Sequence, residues 1–213
     1  GGAGFIGYHL ATKLKNNFKI DIIDDLSRGK FDNDFKELLK NKNVKFFKRD
    51  LLANAATRFN TTKNYKYIFH LAAIVGVKNV LNHPFGVLSD NIELLKKAIN
   101  IASKQIKLKR LIFCSSSEVY FGTLKNYGLN FPTKEETKLS LLDLKNKRGT
   151  YMLSKIYGEA MCVQSGLPFT IIRPHNFFGP RMGLSHVIPE LLKKAYYSKN
   201  KKISVFSPEH KRN

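Results

Sequence analysis

The sequence has few acidic residues, two cysteines and no long hydrophobic run. Cys114 and Cys162 are too few for a disulfide framework or a four-cysteine zinc site. Both lie in apolar or helical segments, so we interpret them as buried thiols. No segment approaches the roughly 20 consecutive apolar residues that a membrane span needs. These absences exclude a disulfide scaffold and a membrane-spanning protein, and we expect a cytoplasmic protein with no membrane partner.

The shortage of acidic residues leaves a formal net charge of +21, from 37 Lys and Arg against 16 Asp and Glu. Such an excess can indicate binding to nucleic acid, to an anionic membrane surface or to a phosphorylated substrate. The lysines are scattered through nearly every segment, and the densest run, "KKAYYSKNKK" at 193–202, also fits the end of an amphipathic helix. We interpret the charge as a general bias on solvated faces and expect no nucleic-acid partner, with a nucleic-acid binder as an alternative.

Short apolar segments alternate with segments of helical periodicity along most of the chain. The predicted strands are "FKIDIIDD", "VKFFKRD", "YKYIFHLAA", "LKRLIFCSSS" and "PFTIIRP", with a last strand "KISVF". Because these strands are nearly continuous apolar runs separated by helices, the pattern predicts an α/β fold with a doubly wound parallel sheet of Rossmann type. A long polar connection is expected from about Phe121 to Lys147. The alternation ends near "RPHNFFGPRM", so we predict a first domain at 1–173 and an incomplete smaller C-terminal domain at 174–213.

The chain opens on "GGAGFIGYHL", in which Gly1, Gly4 and Gly7, or in the other frame Gly2, Gly4 and Gly7, resemble a phosphate-binding turn. Glycine lets such a turn bend tightly and approach a pyrophosphate at the N-terminus of the next helix. The turn needs a strand that leads into it, so we expect that strand upstream of residue 1 and interpret the chain as a fragment at both ends. Asp24 ends the next strand, where a carboxylate accepts hydrogen bonds from ribose hydroxyls and repels a 2′-phosphate. This favours NAD over NADP, although Arg28 nearby leaves NADP open.

The ends of two later strands offer further contacts to a dinucleotide, because ligands bind at the carboxyl ends of such strands. One strand end could hold an adenine, and the small residues after the next strand let the backbone run beside the cofactor. These positions are Asp50 and Leu51, then Leu71, Ala72 and Ala73.

The pairing of "SSSEVYFG" at a strand end with "YMLSK" on a helix indicates catalysis. Tyr151 and Lys155 share one helical face, where an ammonium can lower the pKa of the phenol. A serine hydroxyl from the strand end could bond the same substrate oxygen. With a nicotinamide, this set can take a proton from an alcohol while hydride leaves its carbon. No two histidines have the spacing of metal ligands, so we predict no metal and interpret His70 as a core residue.

These motifs resemble those of the NAD-dependent nucleotide-sugar epimerase/dehydratase family, within the extended short-chain dehydrogenase/reductase superfamily. The resemblance runs from Gly1 to about Arg212 and rests on "GGAGFIG", "DDLSRG", "RDL", "HLAA", "SSSEVY", "YMLSK", "RPHNFFGPRM" and "HVIPELL". It implies NAD as the cofactor, a nucleotide sugar as the substrate, and a homodimer formed through a helix bundle that includes the Tyr151 helix. The implied catalytic residues are Ser116, Glu118, Tyr151 and Lys155.

The resemblance also implies which residues contact the ligands. Tyr151 is then the base, Lys155 holds the nicotinamide ribose, and Asn91 helps to order that lysine. The implied cofactor-binding residues are Gly1, Gly4, Phe5, Ile6, Gly7, Asp24, Asp50, Leu51, Leu71, Ala72, Ala73, Asn91, Tyr151, Lys155, Pro174 and His175. The implied substrate-binding residues are Ser117, Asn176, His186, Val187 and Arg212, of which Arg212 would contact the diphosphate.

The resemblance predicts a reaction that begins with oxidation of the sugar at C4 to a keto intermediate, on a substrate expected to be a UDP-sugar. Glu118 matches a carboxylate of family dehydratases and decarboxylases. A UDP-glucuronate decarboxylase-type or 4,6-dehydratase-type reaction is therefore the alternative to epimerisation. Phe121 departs from the usual "VYG" in a loop that lines the sugar pocket of relatives, which leaves the sugar open. A non-catalytic NAD-binding redox sensor is the alternative from a different class.

Overall fold

The computed structural model describes residues 1–53, 64–184, 186–198 and 202–205. The chain divides into two compact units, Gly1–His175 and Asn176–Asn213. This boundary lies two residues beyond the domain boundary predicted from the sequence. None of the helices within the described residues is both long and apolar enough to cross a membrane.

Strands and helices alternate along the described part of the first unit. The strands are β1 (Ile20–Asp24), β2 (Val44–Lys48), β3 (Tyr67–His70), β4 (Arg110–Cys114) and β5 (Phe169–Ile172). The helices are α1 (Phe5–Leu14), α2 (Asn33–Leu39), α3 (Val77–Asn82), α4 (Pro84–Ser103), α5 (Phe121–Tyr127) and α6 (Gly149–Gln164), with a 3₁₀ turn at Ser117–Tyr120. The second unit contains α7 (Val187–Tyr197).

All of these strands pair in parallel, in two sheets. β1 pairs with β2, and β4 lies between β3 and β5. The carboxyl ends of β1 and β3 meet at the first residues of the chain. The amino nitrogen of Gly1 lies 3.1 Å from the Ile23 carbonyl oxygen, and a Cβ on Gly1 would lie 2.5 Å from the Ala72 nitrogen. Parallel strands separated by helices are the arrangement that the alternating pattern predicts.

A tyrosine connects the two sheets at their other end. The Tyr65 hydroxyl, just before β3, donates a hydrogen bond of 2.5 Å to the Asp21 carboxylate in β1. The backbone N–H of Tyr65 donates to the Gln105 side chain at 3.0 Å, after α4. The rings of Phe18 and Tyr67 also meet edge to face, with centroids 6.2 Å apart. These contacts fix β1 relative to β3 without a shared strand ladder.

Each sheet has its own apolar core. The β1–β2 core consists of residues from the glycine turn, from both strands, and from α1 and α2: Ala3, Ala11, Ile22, Phe35, Leu38 and Val44. The core around β4 joins Leu95 of α4, Phe113 of β4 and Cys162 of α6. Burial of a side chain such as Phe35 stabilises the fold by about 2–3 kcal/mol. Cys162 is buried as predicted, whereas Cys114 is only partly buried because it ends β4 at the strand's carboxyl edge.

The predicted polar connection contains regular structure. Helix α5 occupies its beginning, directly after the 3₁₀ turn, and is fixed to the segment beyond it. The Thr123 hydroxyl donates to the Lys138 carbonyl at 2.8 Å and accepts the Ser140 N–H at 3.0 Å. Gly122 allows this approach, because a Cβ there would overlap the Ser140 carbonyl. The connection is therefore a folded segment attached to its own first helix.

The predicted last strand, "KISVF", is wrong over residues 202–205. Residues 202–205 form no strand, and residue 206 lies outside the described part of the chain. An alternating pattern makes a strand only when a neighbouring strand supplies hydrogen-bond partners, and none pairs with residues 202–205 within the described residues.

Gly158 marks the closest approach of α6 to β4 and supports a first prediction. A Cβ at this position would lie 2.6 Å from Phe113 Cζ and 3.0 Å from Leu95 Cδ2, both on buried side chains. We expect Gly158→Ala to lower the free energy of unfolding by about 1–3 kcal/mol, as overpacking does. Urea unfolding of the full-length protein measures this change.

Gly86→Ala is the matched control, because Gly86 also lies within a helix but its Cβ would meet no atom nearer than 3.9 Å. We expect this variant to be unchanged or up to about 1 kcal/mol more stable, from helix propensity alone. If Gly158→Ala were as stable as Gly86→Ala, the close packing of α6 on β4 would be refuted.

Candidate active site

Helix α6 carries the two residues that the sequence pattern pairs. Tyr151 and Lys155 are one turn apart on it, and the helix packs against α4 and β4. Lys155 is 4% exposed, and its ammonium donates a hydrogen bond of 2.8 Å to the Cys114 carbonyl at the end of β4. The same Nζ lies 5.0 Å from the centre of the Phe113 ring and 5.5 Å from that of Tyr151. Burial lowers the pKa of Lys155 to about 8.

The serines after β4 form a tight turn beside this lysine. Ser116 has extended backbone and caps the 3₁₀ turn, where its hydroxyl accepts the Glu118 N–H at 3.2 Å. Its side chain lies close enough to the Tyr151 phenol to lower the pKa of that group. The Ser117 N–H donates to the Pro174 carbonyl at 3.0 Å, so the segments after β4 and β5 are joined directly. Ser116, Tyr151 and Lys155 are therefore brought together at one edge of the sheet.

The pKa of Tyr151 is shifted in the direction opposite to the sequence expectation. Burial raises the pKa of this phenol, and the nearby Glu118 carboxylate raises it further. The Ser116 side chain and the positive charge of Arg28 lower it by less. The sequence predicts that Lys155 lowers the pKa of Tyr151, but burial outweighs this effect. The Lys155 ammonium bonds the Cys114 carbonyl, and both Tyr151 and Lys155 lose solvation when buried. The phenol is protonated at neutral pH in this structure.

The glycine turn prepares the N-terminus of α1 for a ligand. Gly4 is the capping residue and has no side chain to bond the first N–H groups, which belong to Phe5, Ile6 and Gly7. A Cβ on Gly7 would lie 2.5 Å from the Gly2 carbonyl oxygen, so only glycine allows the helix to pack on the turn. This geometry leaves backbone donors at a turn without side chains, which suits a phosphate.

The acidic strand ends differ from each other. Asp24 is buried, and its carboxylate accepts the Ala3 N–H at 3.0 Å and the Leu26 N–H at 2.8 Å. Asp50 is exposed and accepts the Leu52 N–H at 2.8 Å. Asp24 is therefore fixed against the glycine turn, whereas Asp50 closes a local turn. The predicted residues that follow Asp50 and β3 are all partly buried: Leu51, Leu71, Ala72 and Ala73.

The chain matches a known protein family over nearly its whole length. A family model described as the NAD dependent epimerase/dehydratase family matches residues 1–212. The chain belongs to this family. A UDP-N-acetyl-alpha-D-glucosaminuronate decarboxylase of Bacillus cytotoxicus is 32% identical over 203 residues, which cover 92% of this chain and 59% of that protein. A dTDP-D-glucose 4,6-dehydratase of Dictyostelium discoideum is 31% identical over 207 residues, covering 90% of this chain and 46% of that protein.

The structural comparison gives the same family. A crystal structure of a UDP-galactose 4-epimerase matches with a TM-score of 0.71 and 26% identity, covering 92% of this chain and 60% of that one. This likeness confirms the predicted Rossmann-type α/β class. The chain thus spans about half to three fifths of the length of these relatives.

NAD is the cofactor of the epimerase/dehydratase family, and the residues of this chain fit it. The turn at Gly1, Gly4 and Gly7 has no side chain where a pyrophosphate would lie, and α1 presents its N–H groups there. Lys155 uses one of three donors on the Cys114 carbonyl, so two stay available for ribose hydroxyls. The backbone at 71–73 lies beside the turn, as Gly1 is in contact with it.

Asn91 is buried within α4 and bonds a backbone segment rather than the lysine itself. Its carboxamide oxygen accepts the Ile74 N–H at 2.7 Å, and its nitrogen donates to the Ile74 carbonyl and to the Ser154 hydroxyl at 3.1 and 3.3 Å. Since Ser154 precedes Lys155 on α6, Asn91 joins α4, α6 and the segment after β3. It can therefore order Lys155 only through the helix.

Three residues beside the site were not predicted from the sequence. Glu159 is buried one turn after Lys155 and accepts a hydrogen bond of 2.6 Å from the buried Ser115 hydroxyl. Arg173, which is partly buried, donates to the same carboxylate at 2.9 and 2.6 Å. The signal that could have found Glu159 is its four-residue spacing from Lys155, because both side chains then share one buried face. No local pattern distinguishes Arg173 from the many other basic residues.

The remaining predicted residues lie toward the end of the chain. Pro174 and His175 close the first unit after β5. Asn176 begins the second unit, where His186 caps α7 and Val187 is its first residue. Arg212 lies outside the described residues. Across residues 1–53, 64–184, 186–198 and 202–205, no three His, Cys, Asp or Glu residues could together hold a metal ion.

The titration of Lys155 gives a second prediction. Its pKa is about 8 in the folded chain against 10.5 for a free lysine, so between these pH values the unfolded chain binds more protons and folding stability rises with pH. We expect wild type to gain up to about 3 kcal/mol relative to Lys155→Met as the pH rises through this range. Urea unfolding of the full-length proteins at several pH values measures the difference.

Exposed Lys96 supplies the control, because Lys96→Met removes a lysine of the same length from the surface of α4. The difference between wild type and this variant is expected to stay nearly constant with pH. If the difference in stability between wild type and Lys155→Met were also independent of pH, the lowered pKa of Lys155 would be contradicted.

Proposed function

We propose that this protein is a NAD-dependent nucleotide-sugar enzyme that begins by oxidising a UDP-sugar at C4 to a keto intermediate. The observation that carries the proposal is the grouping of Ser116, Tyr151 and Lys155 at the carboxyl end of β4. Family membership supports the cofactor and the class of substrate. The phosphate-binding turn at the start of α1 supports a dinucleotide beside these groups.

In the proposed first step the Tyr151 phenolate accepts the proton of the sugar C4 hydroxyl. The Ser116 side chain lies beside this phenol, so its hydroxyl can bond the same substrate oxygen and hold it in line. NAD, when bound, supplies the acceptor for the C4 hydride. The two remaining donors of the Lys155 ammonium would hold the cofactor's ribose and stabilise the phenolate.

Because the pKa of Tyr151 is raised, binding of the cofactor and substrate must stabilise the phenolate. Burial opposes the phenolate in this structure, so a phenolate at neutral pH requires additional positive charge next to its oxygen. The buried Lys155 ammonium can supply this charge, because it lies 5.5 Å from the centre of the ring.

The outcome after oxidation depends on groups beside the sugar. Glu118 is exposed next to Tyr151, close enough for its charge to raise the phenol's pKa. A carboxylate there suits proton removal or carboxylate loss from a keto-sugar, and the decarboxylase and dehydratase relatives support this interpretation. A UDP-glucuronate decarboxylase-type or 4,6-dehydratase-type reaction is therefore the second candidate beside epimerisation.

The remaining parts of the proposal concern the substrate and assembly. We propose that Ser117, Asn176, His186, Val187 and Arg212 contact the nucleotide sugar, as the family resemblance implies. A homodimer that uses the Tyr151 helix is proposed on the same basis, and a cytoplasmic location is proposed from the composition of the sequence.

Replacing the proposed base gives a third prediction. We expect Tyr151→Phe in the full-length protein to lower kcat by about 100-fold or more, because it removes the proton acceptor and keeps the ring. Product formation from a panel of UDP-, GDP- and dTDP-sugars, followed by chromatography and mass spectrometry, measures this. Tyr157→Phe is the matched control, since Tyr157 lies on the same helix but is 51% exposed. If Tyr151→Phe turned over at the wild-type rate, the assignment of Tyr151 as the base would be refuted.

The same panel separates the two candidate reactions. Loss of carbon dioxide from the product indicates decarboxylation, loss of water indicates dehydration, and an unchanged mass with a new sugar indicates epimerisation. As a fourth prediction, we expect Glu118→Gln to lower the formation of a decarboxylated or dehydrated product by about 100-fold or more, while the initial oxidation changes much less. An equal effect on both steps would argue against a role for this carboxylate after oxidation.

A further inference from the structure

One guanidinium in the first unit bonds four acceptor atoms from three segments around the site. Arg173 donates from Nε and Nη2 to the two carboxylate oxygens of Glu159, at 2.9 and 2.6 Å. Its Nη1 donates to the Tyr120 hydroxyl at 2.6 Å and to the Glu135 carbonyl at 2.8 Å. The guanidinium also lies over the Tyr120 ring, 5.0 Å from the centroid. A planar fork can make this set of contacts at once, whereas the ammonium of a lysine cannot.

The partners of Arg173 come from the segments that carry the proposed catalytic groups. Glu159 lies on α6 one turn after Lys155. Tyr120 ends the 3₁₀ turn that begins after Ser116 and contains Glu118. Glu135 lies in the connection between α5, which directly follows that turn, and α6. A single cation thus fixes this connection to the helix that carries the base.

Two further bonds place the Arg173–Glu159 pair directly behind the serine turn. The Ser115 hydroxyl donates to Glu159 at 2.6 Å, and Ser115 precedes Ser116. The Ser117 N–H donates to the carbonyl of the residue that follows Arg173. Ser116 therefore lies between Ser115, which bonds the ion pair, and Ser117, which bonds the residue next to Arg173.

We propose that Arg173 is a positioning residue of the active site, which fixes the turn at 116–120 and the Glu135 segment to the α6 carboxylate of Glu159. It thereby sets Ser116 and Glu118 relative to Tyr151. This inference rests on the proposed function. Arg173 acts on the reacting groups through Tyr120, Glu159 and the turn between them.

The Arg173 guanidinium keeps its charge across the working pH range. The Glu159 carboxylate raises the pKa of Arg173 further above its already high value, so the guanidinium does not titrate. Glu159 is 6% exposed, and loss of its partner would leave a buried charge unpaired. Replacement of Arg173 therefore changes stability as well as geometry, and the test needs a variant that separates the two.

Tyr120→Phe separates the effect on geometry from the effect on stability. It keeps the ring and the bidentate Glu159–Arg173 pair and removes one hydrogen bond. We expect it to lower kcat about 3- to 10-fold, the factor of one hydrogen bond, with little change in melting temperature. Arg173→Lys is expected to lower kcat about 100-fold, as a misplacement of catalytic groups does. Tyr127→Phe is the matched control, since Tyr127 lies on α5 in the same connection and is 81% exposed.

Two readouts distinguish positioning from a structural role. The pKa governing the pH profile of kcat/KM should move in Tyr120→Phe, because Ser116 and Glu118 both act on the pKa of Tyr151. Hydrogen exchange should increase in residues 117–138 and stay unchanged in β1 and β2. Both effects should be absent in Tyr127→Phe.

The outcomes separate this inference from the proposed function. A wild-type protein that converts no nucleotide sugar rejects the proposed function, and the exchange measurement still tests the attachment of residues 117–138. An active wild type with unchanged kcat, pH profile and exchange in Tyr120→Phe overturns the positioning role. If Arg173→Lys fails to fold, Tyr120→Phe alone decides.

Discussion

The approach of α6 to β4 is the constraint on which the site depends. The Lys155 ammonium can reach the Cys114 carbonyl only because the helix lies close to the strand. Gly158, three residues further along the helix, leaves room for the Phe113 ring. A bulkier residue at position 158 would push the helix outward and separate the ammonium from its acceptor. Packing between helix and strand therefore controls the electrostatics of the site.

Two buried charges of opposite sign share one face of α6, and each has its own partner. Lys155 bonds a backbone carbonyl, whereas Glu159 bonds the Arg173 guanidinium and the Ser115 hydroxyl. Because Glu159 is already paired, it does not neutralise Lys155, whose ammonium keeps two donors for other groups. The helix can thus carry a reactive cation and a structural anion one turn apart, and each of these two buried charges has a hydrogen-bond partner.

The sequence predicts the parts of this molecule that follow from local pattern. Alternating apolar strands and helices indicate the parallel α/β class, and the four-residue spacing of Tyr151 and Lys155 indicates a shared helical face. The Arg173 contacts could not be predicted, because they join residues up to 53 positions apart and depend on the final packing. The direction of the Tyr151 pKa shift was also missed, since burial depends on the whole fold. The last predicted strand failed because strand formation needs a partner that periodicity does not reveal.

The buried Asp24 carboxylate has a consequence for cofactor affinity. Its hydrogen bonds from the backbone of Ala3 and Leu26 fix the side chain's rotamer in the protein before any ligand arrives. The conformational entropy of this side chain is therefore lost on folding and not at the moment of binding. Oδ2 also lies 3.2 Å from the Gly1 amino nitrogen, whereas Oδ1 keeps a second lone pair for a hydroxyl donor. A ligand that bonds Asp24 meets a preorganised acceptor, so affinity gained there would not be reduced by ordering the aspartate.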